Sequence, residues 1–302
     1  MDEKLKNVWL VSFGDSRLQK PRKRLLKQAK EFGFADDHVF IMDENDLDAG
    51  FKERMKDKLV LGSRGFGYWC WKPEVILETF NKIPDGDIVL YIDIGCHLNE
   101  KGKERFYDYL TIAEHKGGLA FQMRSLLSDP DIPDPRHHVR TNSEWCKGDV
   151  LEYFHVRDNK QILTSSQVAA TAIILEKKCD NIDFLHKWLD VFYNHWHLVD
   201  DSKSIMPNMP RFTSHRHDQS IFSIMWLLRG WPTVSSCEME NLRRHACPSK
   251  VFRHNSLWGK DWYWQMRLYP IHAKRDKGLV GFTKKLFLYL KFRVILPYLK
   301  GV

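Results

Sequence analysis

The chain has 302 residues, 43% of them apolar, enough to bury one large core and too many for a disordered chain. Its 47 basic and 39 acidic residues leave a net charge of +8, a modest excess that suits an anionic partner such as a nucleotide or a membrane surface. The basic residues are dispersed, which argues against nucleic acid. The six cysteines include no Cys-x-x-Cys pair, which argues against structural zinc and agrees with reduced thiols in a cytoplasmic protein. No run reaches the roughly 20 apolar residues of a membrane span, and no signal peptide or internal repeat is expected.

Val8-Trp-Leu-Val-Ser-Phe13 reads as a buried strand, stopped at Gly14-Asp15. A basic helix follows over Leu18 to Phe32 and ends near Gly33, and His38 to Met42 reads as a second strand. This β-α-β opening predicts a parallel sheet. Pro73 is placed to begin a helix running to about Lys82 with Ile76, Leu77 and Phe80 on its apolar face. Asp87 to Gly95 is the most informative segment. Apolar residues lead directly to a carboxylate, Asp93, as expected for a strand that delivers an acid to the C-terminal edge of a sheet. Leu119 to Met123 reads as another strand, Arg124 to Asp149 as a long loop of the lid or binding kind, and Val168 to Leu175 as a further strand. Phe184, Trp188, Phe192 and Trp196 recur every four residues and predict a helix with a core-facing stripe. Asp218 opens a last apolar helix ending at Gly230.

Gly67-Tyr-Trp-Cys-Trp-Lys-Pro-Glu74, Tyr91-Ile-Asp-Ile-Gly-Cys96 and Phe212-Thr-Ser-His-Arg-His-Asp-Gln-Ser220 carry the chemistry-bearing residues. In this order they resemble bacterial glycosyltransferases of capsule and O-antigen polysaccharide biosynthesis, of the nucleotide-sugar-dependent GT-A type. Trp145-Cys-Lys147 is a looser match. The resemblance is spread over residues 8 to about 275. It implies an α/β, GT-A-like fold with a Rossmann-like, mostly parallel central sheet flanked by helices. The implied domain is residues 1–281. The implied reaction is transfer of a hexose, with galactose in pyranose or furanose form the analogy, from a UDP-sugar to a lipid-linked glycan or lipopolysaccharide intermediate.

Such a transfer needs a neutralised diphosphate, an open anomeric face and, for inversion, a base. Asp93 is expected at the donor and, in this family's pattern, would ligate Mn²⁺ or Mg²⁺. Gly95 stands where the pattern has a second aspartate, so the metal motif is incomplete. His272 would complete the metal shell, and Lys274 and Arg275 would hold the diphosphate. Ser12, Phe13 and Gly14 fall where the nucleotide base binds. Trp69 and Trp71, sharing a face of a strand-like loop, read either as an aromatic shelf or as core, and Lys72 reads as a diphosphate contact or a solvated lysine. Asp218 reads as the catalytic base with His217 beside it, or as a helix cap. A metal-dependent phosphoesterase and a non-catalytic carbohydrate-binding protein are the alternative functions. Residues 282–302 mix large apolar and basic residues, and predict an interfacial helix at the inner face of the cytoplasmic membrane, or a helix packed on the domain.

Overall fold

The computed structural model describes residues 2–123, 140–239 and 269–273. The chain opens with β1 (Val8–Phe13), α1 (Gln19–Phe32) and β2 (Val39–Met42). β1 and β2 are parallel, with Leu10 against Val39 and Phe13 against Met42. Two short turns, α2 (Ala49–Arg54) and α3 (Gly65–Tyr68), precede α4 (Trp71–Phe80). β3 (Ile88–Ile92) then pairs in parallel with the other edge of β1. β4 (His97–Leu98), α5 (Lys103–Lys116) and β5 (Gly118–Gln122) follow. Next come α6 (Asn142–Trp145), α7 (Gly148–Tyr153), α8 (Lys160–Thr164), β6 (Val168–Glu176) and α9 (Cys179–Asn194). α10 (Asp218–Leu228), β7 (Thr233–Ser235) and β8 (Ile271–His272) complete the described elements.

The main sheet has the order β2-β1-β3-β6-β5-β7. β6 is antiparallel to both β3 and β5, while the other pairings are parallel. The class is α/β, with a mostly parallel central sheet flanked by helices, as the pattern of elements predicts. β4 and β8 form a separate antiparallel pair.

Side-chain alternation along the strands builds two cores, one on each face of the sheet. Ile88, Leu90 and Ile92 of β3 join Leu25 and Phe32 of α1 and Phe106 and Leu110 of α5. Val89 and Tyr91 join Val75 and Ile76 of α4, Phe184 and Trp188 of α9, and Phe222 and Trp226 of α10. The stripe on α9 is therefore core, as expected, although the helix stops at Asn194 and Trp196 lies in a following 3₁₀ turn.

Two expectations are corrected. Pro73 is the third residue of its helix and not the first, and it loses nothing there because the first turn has no intrahelical acceptor for its amides. The predicted loop Arg124 to Asp149 is helical over part of its length. Thr141 and Glu144 form a capping box that starts α6 at Asn142; residues 124–139 lie outside the described residues. α5 and β7 were not anticipated.

Candidate active site

The chain passes from β1 through α1 to β2 on one side of it, and from β2 through α4 to β3 on the other. The C-terminal ends of β1 and β3 thus flank a switch point of the sheet, where open α/β folds form a binding crevice. Gly14 and Asp93 follow these two strands. Asp93 continues the alternation of Val89 and Tyr91, so its carboxylate belongs to the face covered by α4 and α10. Those helices supply Lys72 near the start of α4 and Asp218 as the first residue of α10.

The three side chains converge. Lys72 Nζ lies 2.7 Å from Asp218 Oδ2 and 3.2 Å from Asp93 Oδ1. It also donates to the Ala170 carbonyl of β6 at 2.9 Å. An ammonium has three protons, and three oxygens surround this one. The Tyr91 hydroxyl donates to Asp93 Oδ1 at 2.8 Å. The Asp93 side chain is 29% exposed, against 6% for Asp218 and 4% for Lys72. Asp93 is therefore the member of the cluster that a ligand reaches first.

Burial raises the Asp218 pKa to about 6, although Lys72 works against it. Burial alone would lower the Lys72 pKa, but Asp218 and then Asp93 outweigh it and hold the ammonium above its ordinary value. The Tyr91 phenol is pushed well above its usual range by burial and then by Asp93, so it stays a donor.

The aromatic loop is not the strand-like segment expected. Gly65, Phe66, Gly67, Tyr68 and Trp69 all have positive φ, from +49° to +85°, making a left-handed turn. Each non-glycine residue in that region costs on the order of 1–2 kcal/mol. Compensation is visible. The Trp71 indole donates to Gly65 O at 3.1 Å, Ser63 Oγ accepts from Gly67 N at 3.0 Å, and Phe66 is buried against Phe13. The two tryptophans consequently part. Trp71 stacks on Phe13 in the core at 4.2 Å between centroids, whereas half-buried Trp69 stands 6.0 Å from the His217 ring.

His217 is itself strained, at φ 53° and ψ −125°. Such a conformation costs about 1–3 kcal/mol and persists only where its surroundings hold it. Here Nδ1 lies 2.7 Å from Val199 O, Tyr68 packs 4.9 Å away, and Asp201 Oδ1 is 3.7 Å from Nε2. Burial lowers the His217 pKa, so the ring is neutral near pH 7. Tyr68 donates to Asp201 at 2.8 Å, which links the aromatic turn to the loop after α9.

The remaining predicted residues divide. Ser12 is buried and donates to Ile92 O at 2.7 Å, and Phe13 is core, so both serve packing. Gly14 does sit at the strand ends, where a Cβ would come within 3.1 Å of Ile94. Lys147 is buried and donates to Asp200 O at 3.0 Å and Ser202 O at 3.1 Å, pinning the loop after α9. Gly95 has open space around its missing Cβ. His272 is on β8, paired with His97 of β4. Lys274 and Arg275 lie outside the described residues. The sequence reading missed Tyr91, although its position two residues before Asp93 on one strand face is a usable signal, and it missed Tyr68, Asp201 and Arg24. Arg24 Nη2 donates to Ile94 O at 2.7 Å and Cys96 O at 2.9 Å and so braces the loop that carries Asp93.

The residues do not fit a divalent metal. A lysine ammonium stands between the two carboxylates, and among the described residues no group of three or more His, Cys, Asp or Glu side chains is arranged to hold an ion. Cys70 and Cys146 are buried free thiols and Cys179 an exposed one. A groove of about 720 Å³ beside α7, α9 and α10, lined by Tyr153, Phe184, Asp190 and Met225 among others, does not include the cluster.

No family model and no curated protein sequence matches the chain. Among solved structures, it is similar to mouse xyloside xylosyltransferase 1, apo form, with 9% identity over 88% of this chain and 97% of that one, and a TM-score of 0.42. It is similar to a glycosyltransferase involved in the glycosylation of the major capsid of PBCV-1, with 9% identity, 94% and 98% coverage, and a TM-score of 0.45. It is also similar to the galactosyltransferase LgtC in complex with donor and acceptor sugar analogs, with 13% identity, 94% and 96% coverage, and a TM-score of 0.41.

Proposed function

We propose that this protein is a nucleotide-sugar-dependent glycosyltransferase of the GT-A type. The observation that carries the reading is the cluster of Asp93, Lys72 and Asp218 at the C-terminal end of β3, beside a strained aromatic turn. Paired acids of unequal exposure at a sheet switch point, the buried one with a raised pKa, suit a reaction that positions a sugar and moves a proton. The donor is a UDP-hexose and the acceptor a glycan or lipid-linked glycan of capsule or lipopolysaccharide type.

In this reading Asp93 contacts the donor at the reacting end, and Trp69 with Tyr68 forms a rim for the sugar. The acceptor hydroxyl attacks the anomeric carbon as the bond to the diphosphate breaks. Asp218 takes the hydroxyl proton in an inverting reaction, and a pKa near 6 makes it a usable base at neutral pH. Because Asp218 is buried, the acceptor has to approach along Asp93. Lys274 and Arg275 are proposed to balance the diphosphate. No step is routed through a metal ion.

The test is a panel of UDP-, GDP-, CMP- and dTDP-sugars read by thermal shift and donor hydrolysis. A UDP-sugar should stabilise the protein and be hydrolysed slowly without acceptor. Phosphate release from simple esters with no sugar transfer would favour the phosphoesterase reading, and sugar binding without turnover a binding protein.

A further inference from the structure

We propose that Lys72 is the resident cation of this site, holding the position between Asp93 and Asp218 that a divalent ion takes in a carboxylate centre, so that the site works without a metal. The proposal rests on the glycosyltransferase reading for what the site does, and on geometry for the place of the cation. Two carboxylates on different elements, one on the end of β3 and one on the start of α10, point at a single positive centre. The ammonium lies 2.7 and 3.2 Å from them and has a third oxygen, that of Ala170, at 2.9 Å. These are hydrogen-bonding separations; Mg²⁺ would need oxygens at about 2.0–2.1 Å and a nearly octahedral shell. Entry of such an ion would require Lys72 to leave.

Lys72 has no easy way out. Its residue is buried, and α4 is buried along most of its length between β3 and α9. The rings of Trp69 and Tyr91 each stand with their centroids 5.9 Å from Nζ. A second cation, Arg24, holds the other side of the same loop through Ile94 O and Cys96 O. The loop that presents Asp93 is thus braced by a lysine and an arginine. Gly95 adds no further oxygen ligand, although a side chain would fit there.

Lys72 acts in this arrangement as a positioning residue. It fixes the Asp93 carboxylate from one side while Tyr91 fixes it with a hydroxyl. It also keeps two acids together without the repulsion that would otherwise force one to take up a proton. A lysine cannot be lost to a chelator. The site is always loaded.

The experiment is a titration of Mn²⁺ into the full-length, donor-free protein, followed by electron paramagnetic resonance of the free ion. Wild type should leave the free-ion signal unchanged at equimolar Mn²⁺ in the 0.1 mM range. Lys72→Ala opens the position and should bind one equivalent, and Lys72→Ala/Asp93→Asn should lose it again. Gly95→Asp introduced into Lys72→Ala should tighten binding about tenfold or more. Wild-type binding of one equivalent that Asp93→Asn removes would overturn the proposal. A folded Lys72→Ala protein that binds no Mn²⁺ would overturn it as well. If Lys72→Ala does not fold, the wild-type and Asp93→Asn titrations still decide the matter. Because no donor is present, the result is independent of whether the nucleotide-sugar panel finds a substrate.

Discussion

Asp93 and Asp218 share a lysine, yet their substitution should have different consequences. Asp93→Asn keeps an oxygen for Tyr91 and Lys72 and stands partly in solvent, so the protein should stay folded. Turnover of the UDP-sugar should drop by roughly 10²-fold or more, the scale on which a positioned carboxylate acts. A folded variant with wild-type turnover would mean that the donor binds elsewhere. Asp218→Asn removes a charge from a buried pair. Removing a partner outright costs about 3–5 kcal/mol; asparagine retains a polar group, and Asp93 still pairs with Lys72. We therefore expect a loss of stability smaller than that, together with a large fall in turnover.

The Asp218 pKa adds a pH dependence. It is raised in the folded state, so the native protein binds the extra proton more tightly than the unfolded chain does. The stability from this group is full below the unfolded value of about 4. It is lost as pH rises through about 6. Denaturant melts of wild type and Asp218→Asn should diverge over that window. Turnover should rise through the same range in wild type only.

At the scale of elements, α4 carries both the lysine of the candidate site and a buried acid without a cationic partner among the causes that set its pKa. Glu74 is buried, and burial first, then Glu78 and Asp48, raises its pKa to about 7. The protonated form is the favoured one in the fold. Its contribution is full below the unfolded value of about 4.3. It is lost as pH climbs through about 7. Glu74→Gln should therefore raise stability at pH 8 by about 1–3 kcal/mol relative to wild type, with little gain at pH 4, as read by melts at both values.

The left-handed turn before α4 tests the aromatic rim. A Cβ at Gly65 would lie 2.4 Å from the Trp69 ring, and its φ of +58° is already unfavourable for alanine. Gly65→Ala should displace Trp69, shift the tryptophan fluorescence and weaken the thermal shift given by donor. An unchanged donor response with a displaced ring would remove Trp69 from the binding site.

For the whole molecule, the sheet places the candidate site at the C-terminal ends of the neighbouring strands β1 and β3, and the cores on both faces hold those ends in place. Among the described residues no helix is long and apolar enough to cross a membrane. Residues 282–302 lie outside the described residues, and their proposed role rests on composition. A basic interfacial segment gains about 1 kcal/mol per basic residue near anionic lipid. Deleting it should abolish salt-sensitive co-sedimentation with anionic vesicles while donor hydrolysis persists. Vesicle binding that survives the deletion would show that this segment is not the anchor.

The sequence by itself determined the β-α-β opening, the strand ending at Asp93 and the α9 stripe. These follow from short-range periodicity, which needs no partner to be read. The i, i+3, i+4, i+7 spacing of Phe106, Tyr109, Leu110 and Ala113 carries α5 in the same way. Periodicity does not say that β6 runs against its neighbours, since a buried strand looks alike in either direction. Nor does it foresee five positive φ values in a row, because such a turn exists only where surrounding packing and hydrogen bonds compensate for it. Above all, Asp93, Lys72 and Asp218 were each legible as candidates, but their meeting was not. Lys72 and Asp218 lie 146 positions apart. Only the stacking of α4 and α10 on one face of β3 turns a lysine that the sequence left as a phosphate contact or a solvated charge into the centre of the site.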